Sequence, residues 1–158
     1  MNLVHKKKIL LICNDPAGGE ILNLILNNNE NFFLFEPFFN GPSLKIFNNK
    51  KFKNNFLNKN IKLDILEKKI LSKNPDLIIT GAGTYNLYEH YGRIIAKKNN
   101  IESIAIVDYW CEYSSRFQRY INKKVQLSYP NWVFIMDSKS KKDFVKETNF
   151  NKNKIFIS

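Results

Sequence analysis

KILLICNDPAGGEILNLILNN, residues 8 to 28, contains the first turn of the pattern that decides the fold. KILLIC (8 to 13) is a continuous apolar run of the kind buried on both faces of a parallel sheet. GGEILNLILNN (18 to 28) then has helical spacing, opened by Gly18 and Gly19. A strand that passes through a glycine turn into an amphipathic helix is the first half of a βαβ unit.

The same alternation continues outward. FFLFEPFF (32 to 39) predicts a second strand ended by Pro37, and residues 40 to 60, rich in Asn, predict the least regular part of the chain. LDILEKKILSK (63 to 73) predicts a helix with Ile65, Leu66 and Ile70 turned to the sheet. DLIIT (76 to 80) predicts a strand and GAGT (81 to 84) a turn. Tyr85 to Lys98 predicts a helix capped by Thr84, with Leu87, Tyr88, Tyr91, Ile94 and Ile95 on its inner face. SIAIV (103 to 107), WVFIM (132 to 136) and KIFI (154 to 157) predict further strands, and Asp137 or Ser138 caps a short basic helix through Glu147.

Strand and helix in this order predict an α/β fold: an open, mostly parallel Rossmann-like sheet of five or six strands with helices on both faces. At 158 residues one domain, 1 to 158, is expected. Ligands of such sheets bind outside the carboxyl ends of the strands. Four segments leave those ends, NDPAGGE (14 to 20), GAGT (81 to 84), DYWCEYSSRF (108 to 117) and DSKS (137 to 140), and they are expected to share one rim.

Composition narrows the function. The formal charge of +11 is mostly lysine scattered among asparagines, and the only arginines are Arg93, Arg116 and Arg119, so nucleic acid is not the expected partner. Cys13 and Cys111 have no metal-ligand spacing, His5 and His90 are the only imidazoles, and no HExxH or Ser-His-Asp order is present. No metal and no cofactor are expected, and His90, midway along its helix, is expected on the surface or part-buried. The first residues, MNLVHKKK, precede a short apolar run with no cleavage pattern and no run spans a bilayer, so a cytoplasmic protein with reduced thiols is expected.

Two segments carry candidate chemistry. In NDPAGGE, Asn14, Asp15, Gly18 and Gly19 place backbone N–H groups at a helix start, which suits a phosphate or carboxylate, while a tight turn alone also accounts for the glycines. Glu20 serves either as a reactive acid or as a dipole-stabilising one. Gly81, Gly83 and Thr84 have the same two readings. In the second segment, Asp108 stands at a strand end, with Trp110, Tyr113 and Arg116 after it at helical spacing. Rings that stack on a sugar face, beside an acid and a guanidinium that hold hydroxyls or phosphate, suit a sugar or sugar phosphate. Packing of the same aromatics under a loop is the alternative.

NDPAGGEIL, PDLIITGAGT, IESIAIVDYWCEYSSRF, YPNWVFIMD and the closing NKIFIS together resemble the N-terminal Rossmann-like half of GT-B-type glycosyltransferases. The resemblance is strongest to surface-polysaccharide biosynthesis proteins with an Asp-x-Trp-x-x-Tyr-x-x-Arg-Phe signature, here Asp108, Trp110, Tyr113, Arg116 and Phe117. UDP-N-acetylglucosamine 2-epimerases share that architecture. The resemblance implies an acceptor-side domain that takes a sugar or sugar-phosphate acceptor, with a nucleotide-sugar held mainly by a second domain. The sequence stops where the linker to such a domain would begin, so catalysis is expected to need a second domain or a partner chain. Asp108 is then the candidate base and Glu20 the second. A noncatalytic Rossmann-like module that binds a phosphorylated sugar or nucleotide-sugar, and an epimerase-like fragment, are the alternatives.

Overall fold

The computed structural model describes residues 6–47, 51–52, 55, 61–84 and 86–157. Strands β1 (Lys8–Cys13), β2 (Leu34–Phe39), β3 (Leu77–Thr80), β4 (Glu102–Val107), β7 (Trp132–Ile135) and β8 (Ile155–Ile157) form one parallel sheet in the order β2-β1-β3-β4-β7-β8. Between β4 and β7 the chain adds a separate antiparallel ribbon, β5 (Gln118–Ile121) and β6 (Lys124–Leu127). Helices α1 (Pro16–Asn29), α2 (Ser43–Ile46), α3 (Leu63–Leu71), α4 (Tyr88–Lys98), α5 (Tyr113–Phe117) and α6 (Ser138–Thr148) complete the chain. The expected α/β sheet of six parallel strands is therefore present.

Alternation along the strands divides the core into two layers. Ile9, Leu11, Ile79 and Ile106 face α1 through Leu22 and Leu26, while Leu10, Ile12 and Ile78 face α3 and α4 through Leu66, Ile70 and Ile95. Ala105, Val107, Val133 and Ile135 continue the second layer under Tyr113, Phe117 and Phe144. Side chains of this size each stabilise the fold by about 1.5 to 3 kcal/mol when fully buried. The layers need close approach in one place: a Cβ on Gly92, in the middle of α4, would lie 2.5 Å from Ile12 Cδ1. Glycine there lets the helix lie on the sheet.

One expectation about this region changes. Pro37 does not end β2; it pairs with Leu11 and the strand runs on to Phe39. Its carbonyl accepts from Asn55 N at 2.8 Å, on the side away from β1. A residue in a strand points its C=O and N–H to the same side, so the donor that proline lacks is one the edge never used. The strand order also shows only one strand beyond β1 on that side. After β2 the chain returns directly past β1 to β3, so the reversal of strand order falls between β1 and β3. Much of the segment between them, expected to be irregular, lies outside the described residues, as do His5 and Tyr85. Among the described residues no helix is long and apolar enough to cross a membrane.

Candidate functional site

At the carboxyl ends of β1, β3, β4 and β7 the four expected segments do meet. An added Cβ on Gly18 would lie 3.2 Å from Cys13 Sγ, 3.5 Å from Gly81 Cα and 3.9 Å from Asp108 Oδ2. Trp110 Nε1 donates to Asp137 Oδ2 at 3.2 Å, which ties the loop after β4 to the loop after β7. The first three of these loops enclose a cleft of about 440 Å³ lined by Asp15, Thr84, Asp108, Tyr109, Glu112 and Arg116, with Ala17 and Cys111 completing the wall.

The glycine turn works differently from the expected phosphate cradle. Helix α1 starts at Pro16, two residues earlier than its apolar spacing indicates, because Asp15 caps it: Oδ1 accepts from Ala17 N at 3.0 Å. Gly19 N donates to Asp15 O at 2.9 Å, and Gly18 N faces the Asp108 carboxylate. Two of the protein's own carboxylates thus occupy the positive end of the helix. A Cβ on Gly19 would meet Ser43 Cβ at 2.8 Å, so that glycine is needed for the approach of α2. Asn14 is likewise taken up, its Nδ2 donating to Asn40 Oδ1 and its backbone N to Glu89 Oε1. Glu20 is exposed, beyond the first turn and outside the cleft lining.

Behind the cleft lies a buried polar frame on α4 that the apolar spacing of this helix conceals. Glu89, fully buried, accepts from Asn14 N at 2.8 Å through Oε1 and from Gly83 N at 2.7 Å through Oε2. Its carboxyl is pushed up by burial and tempered by those amides and by Arg93. Burial also raises the Cys13 thiol, with the nearby Glu89 adding to the effect. Arg93 donates through Nη1 to Thr80 Oγ1 and Gly81 O, both at 2.9 Å, through Nη2 to Arg116 O at 2.8 Å, and through Nε to Ser128 O at 2.9 Å. Burial holds its pKa down to about 10. The chemistry explains GAGT: a Cβ on Gly81 or Gly83 would collide with the Glu89 carboxylate at 2.8 or 2.9 Å. Helix α4 is capped at Leu87 with no side-chain bond, so Thr84 does not cap it and is left at the cleft wall.

His90 corrects another expectation. It is buried, neither on the surface nor part-buried; its Nδ1 shares a hydrogen bond with Ser128 Oγ and burial drives its pKa down to about 3. It stays neutral across the physiological range. Tyr113 is also in the core, its ring 5.3 Å from that of Phe144 and its hydroxyl beside Ser140. The packing alternative holds for this ring. Trp110, 62% exposed, stays at the rim.

Arg116 ties its own loop to the GAGT loop and does not face open space: Nη1 donates to Ala82 O at 2.8 Å and Nε to Cys111 O at 3.3 Å, with the guanidinium 5.3 Å from the Tyr109 ring centre. The cleft therefore faces a ligand with three carboxylates, Asp15, Asp108 and Glu112, against one guanidinium that is largely satisfied. Glu112 adopts a left-handed backbone, φ 58°, which places its side chain at the mouth under mild strain. Such a lining favours hydroxyls, which donate to carboxylates, over a diphosphate.

Burial raises the Asp108 carboxyl above its ordinary value, Asp15 adds to the rise, and the Gly18 N–H and Arg116 oppose it. Because the folded pKa is raised, this contribution to stability is full below the unfolded value and is lost as pH rises through the folded one. Asp108→Asn has no such loss. The variant should therefore gain stability relative to the parent as pH rises from the unfolded to the folded pKa of Asp108, measured by urea unfolding across the acidic range. A gap that does not change with pH would show that Asp108 titrates as a free carboxyl does.

The second cleft, about 390 Å³, lies at the opposite strand ends, lined by Lys97, Glu102, Tyr129 and Lys154 among others. No group of three or more His, Cys, Asp or Glu among the described residues could hold a metal ion.

No family model and no curated protein matches the chain. Solved structures do. S. aureus MnaA with UDP aligns at TM-score 0.66 and 15% identity, over 96% of this chain and 44% of the other. A UDP-N-acetylglucosamine 2-epimerase from Rickettsia bellii aligns at 0.65 and 13%, over 97% and 44%. The Neisseria meningitidis UDP-GlcNAc 2-epimerase bound to UDP-GlcNAc aligns at 0.58 and 15%, over 96% and 46%. The fold is that of an N-terminal GT-B-type Rossmann-like domain. This chain spans under half the length of these structures. Asp108, Thr84, Asp15 and Arg116 are the sequence candidates that the structure brings into one cleft, with Trp110, Gly18, Gly81 and Gly83 beside it. Tyr109, Glu112 and the Glu89–Arg93 frame join them without having been singled out. A signal for the frame was present in Gly92, since glycine inside a helix marks close packing.

Proposed function

We propose that this GT-B-type domain is the acceptor side of a glycosyltransferase-like protein of surface-polysaccharide biosynthesis. A second domain, in the same polypeptide or a partner chain, holds most of the nucleotide-sugar. The observation that carries this reading is the cleft at the strand ends, where Asp108, partly desolvated and of raised pKa, faces open space among carboxylates and the Tyr109 ring. A ring and several carboxylates suit a hydroxyl-rich, uncharged acceptor. A carboxylate whose pKa has moved towards neutrality is better matched to deprotonating a hydroxyl. Asp108 is the base in this reading, Asp15 and Glu112 accept from neighbouring hydroxyls, and Arg116 fixes the loop that carries them. The exposed Cys111 thiol fits a reducing cytoplasm.

A second reading has specific support, since the structures that share the fold include UDP-N-acetylglucosamine 2-epimerases. The same carboxylate would then move a proton on carbon. The two readings separate in heavy water, with the chain supplied with a matching second domain: an epimerase exchanges a carbon-bound hydrogen of the sugar for deuterium, whereas a transferase makes a new glycosidic bond without exchange.

For the chain by itself, thermal unfolding with a panel of neutral sugars, sugar phosphates and UDP is the direct test. A neutral sugar at 100 times its Kd should stabilise by about 2.7 kcal/mol. UDP should have less effect, and Asp108→Ala should abolish the sugar response. Stabilisation by UDP with none by any sugar would make this a nucleotide site and remove the acceptor reading.

A further inference from the structure

The ribbon β5–β6 has its amphipathicity reversed. Its register places Gln118 opposite Leu127 and Tyr120 opposite Val125, so these four side chains share one face. Three of them point to solvent: Tyr120 is 75% exposed, Val125 63% and Leu127 52%. The opposite face carries Arg119, whose Nη2 donates to Gly83 O at 3.1 Å, and the part-buried Ile121 and Gln126. A sheet face packed on a protein is normally the apolar one. Here three apolar side chains, Tyr120, Val125 and Leu127, face water while Arg119 bonds to the body of the molecule.

The surroundings specify what covers this face. The turn, Asn122 and Lys123, has left-handed backbone at both residues, φ 50° and 62°. This is the tight turn that two-residue hairpins prefer, and it projects Lys123 and Lys124 at the tip. From residue 113 to residue 136 the sequence has no Asp or Glu at all, whereas the exposed Lys123 and Lys124 fall within it. Self-association is opposed by a net charge of +11 on every copy. A shallow apolar strip headed by a tyrosine, with adjacent lysines and no acid, matches the interfacial zone of an anionic bilayer, where rings and short aliphatic side chains enter the headgroup layer and cations meet lipid phosphates.

We propose that the β5–β6 ribbon is a reversible docking surface for anionic membranes. This stands independently of the chemistry in the cleft.

The test is co-sedimentation with large unilamellar vesicles of phosphatidylcholine, with and without 30% phosphatidylglycerol (about one lipid in three anionic). Binding to the anionic vesicles is expected, with weak binding to phosphatidylcholine alone. The deciding variants are Val125→Lys and Tyr120→Lys, each of which adds a positive charge at a solvent-exposed position. If attraction came only from the overall charge, either variant would bind more tightly. If the apolar face inserts, each should bind about five-fold or more weakly, because the buried apolar contact is lost. Tighter or unchanged binding by the lysine variants overturns the proposal, as does failure of the parent to bind anionic vesicles. Should a variant fold poorly, by far-ultraviolet circular dichroism, Leu127→Ser supplies the same comparison at constant charge, and binding equal to the parent's again overturns it. Capture of an acidic protein through this ribbon, with no vesicle binding, would assign the surface to a protein partner and also overturn it.

Discussion

Arg93→Met should lower folding stability by about 3 to 5 kcal/mol, the largest effect of any single substitution considered. The variant keeps most of the side-chain volume, so cavity formation contributes little. What it removes is a buried cation with bonds to Thr80 Oγ1, Gly81 O, Arg116 O and both Ser128 oxygens. Those acceptors cannot turn to water, and each hydrogen bond to a charged donor is worth about 1.5 to 3 kcal/mol. The Glu89 carboxylate would also lose the nearby positive charge that opposes its desolvation. Arg93→Lys should not rescue, because an ammonium cannot reach acceptors spread around a planar fork. Denaturant unfolding of the three proteins checks this. An unfolding midpoint for Arg93→Met within experimental error of the parent would mean that the strand ends are held by packing alone.

The second large effect concerns rate. On the proposed acceptor-side reading, with a matching second domain supplied, Asp108→Asn should reduce turnover by about 10² to 10⁴, the usual worth of a general base. Stability should be equal to or above the parent's at neutral pH, since a desolvated charge is removed. The contrast with Arg93 is the useful part: one variant unfolds easily, and the other folds well but turns over slowly. A rate loss under tenfold for Asp108→Asn would take proton transfer away from this carboxylate.

Much of this arrangement can be read from the chain, for identifiable reasons. ILLIC, LII and IAIV, the inner parts of three strands, are continuous apolar runs because both of their faces are covered, and that feature needs no tertiary information to recognise. The convergence of the four rim segments follows from parallel strands all ending on one side. The ribbon was not legible, because Gln118–Leu127 alternates weakly and its turn is Asn122-Lys123, without the glycine that usually marks a hairpin. Tyr113 misleads for another reason. Helical spacing groups it with Trp110 and Arg116, yet the short helix α5 turns that position towards Phe144. The polar frame was hidden because Glu89, His90 and Arg93 are residue types expected outside, and only the hydrogen-bond partners supplied by Asn14, Gly83 and Ser128 make their burial tolerable.

Pro37 gives the sheet two unequal borders. On the β2 side the outward row of peptide groups lacks one donor and has one acceptor already taken by Asn55, so a foreign strand laid there would find its ladder interrupted at the middle. On the β8 side Phe156 and Ile157 are about half exposed, and the one acceptor taken by a side chain is Ile155 O, bonded by Lys141 Nζ at 2.6 Å, with no proline in the strand. The β2 margin, which lacks a donor as well, is thus the better protected against strand-to-strand aggregation at high concentration. A proline or lysine introduced into β8, not β2, is where colloidal stability could be improved.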